Sequence, residues 1–182
     1  MDRIEIDFKE MREMRGLDTY GHYYKLLAYV STLFDGKTII DVGTFMGKSA
    51  EALAHNDKNW VVSYDIKDFK EHGNVEGELS VLPNLEYRIK ECTEDMKLLL
   101  SAAVIFLDVD PHAGEYEKMF YKTLVENEWN GLLFVDDIHI NGGMNSFWDS
   151  IPDDKKLDIS QFHNTGFGMI FVGNCLMEGL NE

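Results

Sequence analysis

Residues 38–49 read Thr-Ile-Ile-Asp-Val-Gly-Thr-Phe-Met-Gly-Lys-Ser. A short β-branched run ends in an acid and a glycine, and a second glycine precedes the helix-forming stretch Ser-Ala-Glu-Ala-Leu-Ala-His (49–55). The pattern is a strand, a sharp turn and a helix in succession. Gly43 lets the chain turn tightly and lets a ligand approach the backbone, and Gly47 opens the helix.

The alternation continues outward from this stretch. WVVSYDI (60–66), LEYRIK (85–90), AVIFLDV (103–109), GLLFVDD (131–137), KLDISQF (156–162) and FGMIFVG (167–173) predict strands. Residues 93–101, 115–127 and 142–151 predict helices between them, and 73–82 is compatible with another. Upstream, Leu17, Tyr20, Tyr24, Leu27, Val30 and Phe34 recur at three- and four-residue spacing, which predicts a helix over 17–35 that stops at Gly36. Three strands (39–42, 104–108, 132–136) are apolar on both faces, so helices should cover each side of a mainly parallel sheet. Only a few residues around Asn164, Thr165 and Gly166 separate the two closing strands, so these pair antiparallel. The expected fold is a single α/β domain over 1–182. An N-terminal helical segment (1–35) precedes a Rossmann-like, doubly wound core (36–182) of seven strands, the last one antiparallel.

Bulk properties narrow the function. The chain has 182 residues, 45% of them apolar, and no apolar run nears the ~20 residues a membrane span needs. The charged N-terminus is unlike a signal peptide. Cys92 and Cys175 form no framework and read as reduced thiols of a cytoplasmic protein. The net charge of −16 argues against nucleic acid and anionic membranes and leaves small or cationic partners.

In such a sheet, ligands bind beyond the carboxyl ends of the strands, where strand order reverses. Those ends carry Asp41 and Gly43, Asp65, Asp108 and Asp110, and Asp136 and Asp137. Two ligands compete for the first loop. Gly47-Lys48-Ser49 is like the end of a nucleotide phosphate loop, but only three residues separate Gly43 from Gly47 where the motif needs four. S-adenosylmethionine has no phosphates and needs an acid for its ribose hydroxyls. Asp65, closing the second strand 18 residues after Gly47, falls where that acid should.

At these positions the chain resembles a known family. DVGTFMGKSA (41–50), SYDI (63–66), IFLDVDPH (105–112) and LLFVDDIH (132–139) are similar, in order and spacing, to the strand-end motifs of class I S-adenosylmethionine-dependent methyltransferases. The resemblance covers roughly residues 36–173 and is nearest to small-molecule O-methyltransferases, some of which need a metal. It implies that Asp41, Gly43, Thr44, Gly47 and Ser49 line the cofactor, that Asp65 with Ile66 holds the ribose, that Thr93 approaches the adenine, and that Asp108 borders the site. It also implies methylation of a hydroxyl on a small metabolite or sugar-like acceptor, and dimers are common for the fold. A phosphate-loop hydrolase or kinase and a non-catalytic binding module of the same fold are the rival readings.

Asp108, Asp136 and Asp137 match metal-ligand positions of the family, and Mg²⁺ would relieve their mutual repulsion. Catechol-type members carry Asn where this chain has Asp137. An Asp at a strand end also caps helices without any metal. His112 matches the family's His and is the first candidate for general base, with His139 the second. His22, His55, His72 and His163 have no comparable context. Tyr20, Tyr23, Tyr24, Phe147 and Trp148 could wall an acceptor pocket, with Trp148 as lid beyond the Asn141-Gly142-Gly143 loop, or could simply be core.

Overall fold

The computed structural model describes residues 4–73, 77–174 and 177–181. In chain order these form β1 (Ile4–Asp7), α1 (Phe8–Glu13), α2 (His22–Thr32), β2 (Thr38–Val42), α3 (Lys48–Leu53), β3 (Trp60–Asp65), β4 (Leu85–Ile89), α4 (Met96–Leu99) and β5 (Val104–Leu107). Then follow α5 (Glu115–Glu126), β6 (Gly131–Asp136), α6 (Gly142–Asp149), β7 (Lys156–Asp158), β8 (Phe167–Val172) and β9 (Met177–Asn181).

Seven strands form one sheet in the order β4-β3-β2-β5-β6-β8-β7. Every neighbouring pair from β4 to β6 is parallel, and β8 runs antiparallel to both β6 and β7. Side chains alternate between two cores because strand residues point to opposite faces. On β5, Val104 and Phe106 join α2, Leu53 of α3 and Phe167 on one face. Ile105 and Leu107 join Phe120 and Leu124 of α5 and Met144, Phe147 and Trp148 of α6 on the other. A parallel sheet needs cover on both sides, and the continuous apolar runs of β5 and β6 record it.

The structure departs from expectation in four places. The N-terminal segment is not wholly helical: β1 pairs in parallel with β9 in a separate two-stranded sheet. Asp7 ends β1 and caps α1, its Oδ1 accepting from Lys9 N at 2.8 Å and Glu10 N at 3.0 Å. The helix expected over 17–35 is α2, shortened at its start by a 3₁₀ turn at Leu17–Thr19. Residues 77–82 form no helix, and 74–76 lie outside the described residues. The strand expected over 156–162 stops at Asp158, whose carboxylate accepts from both the backbone and the hydroxyl of Ser160 and turns the chain.

Candidate active site

Strand order reverses between β2 and β5, and the helices that follow them, α3 and α5, pack on opposite faces of the sheet. Gly43 leaves β2 at φ +102°, and a Cβ there would lie 1.6 Å from the carbonyl oxygen of Asp108. Its missing side chain therefore lets the β2 and β5 loops touch. Gly47, at φ +70°, starts α3 with Leu79 and Tyr87 packed over it.

Asp41 is fully buried between these loops. Its Oδ2 accepts from the Ser63 hydroxyl, and Thr44 Oγ1 lies 2.6 Å from the same Ser63 Oγ. The other oxygen, Oδ1, has no hydrogen-bond partner. Burial dominates, and it pushes the Asp41 carboxyl up to about 7.

Asp65 closes β3 at the edge of a cavity of about 330 Å³. Thr44, Leu79, Tyr87, Arg88 and Ile89 are among the other walls. The Asp65 Oδ2 accepts from Phe45 N at 3.1 Å, its Oδ1 accepts from Lys67 N at 3.0 Å, and His72 Nε2 lies 3.2 Å from Oδ2. An ionised carboxylate offers about four acceptor positions, so Asp65 keeps capacity toward the cavity. The volume lies at the small end of the roughly 300–1,000 Å³ usual for small-molecule sites. A ribose-sized diol at Asp65 fits this donor and acceptor set.

The second part of the site is acidic. Asp108 follows β5, Asp136 ends β6, and Asp137 follows at φ +57°. His112, at φ +50°, inserts its ring among them, with Nε2 3.5 Å from Asp108 Oδ1 and 3.5 Å from Asp137 Oδ2. Left-handed backbone at non-glycine residues is strained, and Phe45, His112 and Asp137 all show it around this crevice. Asp136 is 4% exposed, and its Oδ2 accepts from the Tyr23 hydroxyl at 3.0 Å. Burial, then the charge of Asp137, pushes Asp136 up to about 7. Burial, then the charge of Asp136, pushes Asp108 up to about 8, with His112 pulling the other way. A cation among these groups would remove the repulsion, so the donor set suits one.

Solved structures share this architecture. An O-methyltransferase from Bacillus cereus in complex with SAH has a TM-score of 0.56 at 14% identity, covering 88% of this chain and 85% of that one. An SAH-bound methyltransferase from Podospora anserina reaches 0.60 at 15% identity, covering 91% and 86%. The O-methyltransferase of Streptomyces achromogenes involved in tomaymycin synthesis, in complex with SAM, reaches 0.53 at 16% identity, covering 90% and 85%. This is the class I methyltransferase fold. No protein-family model and no curated protein matches the sequence.

Within the methyltransferase fold, the structure sorts the expected site residues. Asp41, Gly43, Thr44, Gly47 and Ser49 gather on the first loop, and Asp65 faces it. Ile66 is 69% exposed and Asp110 is 98% exposed on its side chain, so the protein itself encloses neither. Thr93 lies half-buried in the 3₁₀ turn Cys92–Asp95. His139 turns away from the acids: its Nδ1 lies 3.0 Å from Asn145 Oδ1 and its Nε2 2.7 Å from Asp158 Oδ2. Lys48 pairs with Glu51 at 3.3 Å on the surface.

Two histidines set aside in the sequence reading sit in the site instead. His72 adjoins Asp65, its ring edge-on to Phe45. His163 Nε2 lies 3.3 Å from Asp137 Oδ1 and 3.7 Å from Asp136 Oδ1. Trp148 is no lid. It is 5% exposed and packs where a Cβ on Gly168 would clash at 2.5 Å. Nor does Gly143 free a loop: a Cβ there would lie 2.0 Å from the Ala113 carbonyl, and Asn141 Nδ2 donates to the His112 carbonyl at 2.7 Å. Gly143 brings α6 against the His112 loop. Tyr20 and Tyr24, with Lys48 and Glu51, border a second cavity of about 220 Å³.

Proposed function

We propose that the chain is an S-adenosylmethionine-dependent O-methyltransferase acting on a small hydroxylated acceptor. The observation that carries this reading is Asp65, placed on the 330 Å³ cavity beside the 43–47 turn. S-adenosylmethionine, when bound, supplies a methyl group on a positively charged sulfur. Asp65 would accept from its ribose hydroxyls, and Thr44 and Ser49 would border its amino-acid end. Thr93 and Ile66 belong to the adenine and ribose sides of the same proposal.

His112 Nε2 would take the acceptor's hydroxyl proton. Asp108 and Asp137, each 3.5 Å from that nitrogen, would then stabilise the imidazolium. Holding acceptor and donor in line, away from water, supplies most of the acceleration in a displacement of this kind. A divalent cation such as Mg²⁺ at the Asp108, Asp136 and Asp137 carboxylates would bind the acceptor oxygen and lower its pKa. The charge of −16 favours a small acceptor over nucleic acid. Among the described residues, no helix is long and apolar enough to cross a membrane.

Thermal unfolding with S-adenosylhomocysteine tests the reading. At a hundredfold excess over Kd the ligand adds about 2.7 kcal/mol. Asp65→Ala should abolish that shift, while His112→Ala should keep it and slow methyl transfer. A shift that survives Asp65→Ala, or one that only ATP produces, would sink the assignment.

A further inference from the structure

The acid cluster has a nitrogen donor that the sequence does not advertise. β8 runs antiparallel to β6, pairing Asp136 with Phe167, so the turn before β8 returns to the carboxyl end of β6. That turn carries His163 and Thr165. It is fixed by Gly166 N donating to the His163 carbonyl at 3.0 Å and His139 N donating to the Thr165 carbonyl at 2.8 Å. The Thr165 hydroxyl donates to Asp137 Oδ1. The His163 ring stands edge-on to Tyr23 at 4.9 Å, so its orientation is held by packing.

One donor atom each from Asp136, Asp137 and His163 lie within 4.8 Å of one another. The Asp136 Oδ1 in this group is buried and has no hydrogen-bond partner, on a residue only 4% exposed. A buried oxygen left unpaired is costly, and it points into the cluster. The His163 Nε2 distances of 3.3 Å to Asp137 Oδ1 and 3.7 Å to Asp136 Oδ1 exceed the usual 2.7–3.2 Å of an N–H···O bond. The 3.3 Å separation falls within the roughly 3.0–3.4 Å between neighbouring donors around an ion with bonds of about 2.1 Å, and the 3.7 Å one lies just beyond it.

We propose that Asp136, Asp137 and His163 form a divalent transition-metal site, with Mn²⁺ or Zn²⁺ preferred over Mg²⁺. Imidazole nitrogen suits first-row transition metals, whereas Mg²⁺ prefers an all-oxygen shell with several waters. Asp108 lies outside the ligand set and faces His112 instead. The inference rests on the acids holding a cation, as in the proposed function, and changes both the ligands and the class of metal.

Metal binding to the full chain, freed of metal with EDTA and kept without S-adenosylmethionine, tests it. Mn²⁺ is followed by the loss of its free electron-spin signal, Co²⁺ by its visible absorption, and Mg²⁺ by competition. Mn²⁺ should bind at least tenfold tighter than Mg²⁺. His163→Ala and His163→Gln should each lose at least tenfold in Mn²⁺ affinity, move Mg²⁺ by less than about threefold, and alter the Co²⁺ spectrum. If both His163 variants bind Mn²⁺ as the parent does, the nitrogen ligand is refuted and the cation at the acids stands. If no metal binds at all, both are refuted.

Discussion

Asp41→Asn separates one buried charge from the rest of the acidic site. Asp41 is fully buried, one carboxyl oxygen has no partner, and its pKa is raised from 3.8 to about 7, chiefly by burial. A raised acid binds its proton more tightly when folded. Its stabilising contribution is therefore full below pH 3.8 and is lost as pH climbs through 7. A pKa raised from 3.8 to about 7 corresponds to about 4 kcal/mol in all, of which about 3 kcal/mol falls between pH 5 and pH 8. Asn carries no charge at either pH, keeps an oxygen for Ser63, and stays the same size. Its amide leaves a donor to satisfy, so the parent should be the more stable at pH 5. Urea unfolding of both proteins at pH 5 and pH 8, without metal, measures the effect. The parent should lose about 3 kcal/mol more than the variant over that range, or roughly 6–12 °C in Tm for a chain of this size. Asp108 feels the Asp41 charge as well, so its relief acts in the same direction. A difference between the two pH responses under about 1 kcal/mol would refute the claim that Asp41 is held neutral by burial.

Two other outcomes follow from the same crevice and its neighbour. Gly43→Ala puts a Cβ 1.6 Å from the Asp108 carbonyl at φ +102°. Strain of about 1–2 kcal/mol from φ alone, with separation of β2 from β5 added, should cost more than 3 kcal/mol in denaturant unfolding. A neutral result would mean that the two loops do not touch. The Cys92 thiol is buried, and burial with the Glu91 charge pushes it up to about 12. It should therefore resist iodoacetamide at pH 8 in native protein and react after unfolding, as mapped by peptide mass spectrometry. Rapid native labelling at Cys92 would contradict its placement.

The core strands were legible because burial on both faces removes the polar half of the pattern. Val104–Leu107 and Gly131–Asp136 read as apolar runs, and the structure buries every residue in them. The short turn at 164–166 announced the antiparallel β8. The β1–β9 pair left no such trace. Its strands are four and five residues long, and 169 residues lie between Asp7 at the end of one and Met177 at the start of the other.

Histidine placement failed for a related reason. His139 is near Asp137 in sequence, but the left-handed Asp137 turns the chain, and Asn145 and Asp158 capture the ring. His163 is remote in sequence and close in space. The antiparallel pairing already expected of the last two strands held the signal, since it returns the turn between them to the carboxyl end of β6. Trp148 stays open in the sequence because an aromatic near glycines reads equally as a mobile flap or as packing against bare backbone. The contact with Gly168 settles it.

The parallel sense of β1 and β9 has a mechanical consequence. The start of β1 and the finish of β9 lie at opposite ends of their ribbon, with Ile4 beside Met177 and Asp7 beside Asn181. Tension applied through residues 1 and 182 drags one strand lengthwise past the other, so the rungs share the load together instead of opening singly like a zipper. The ribbon thus works as a clasp, and the larger sheet carries little of the pull until it slips.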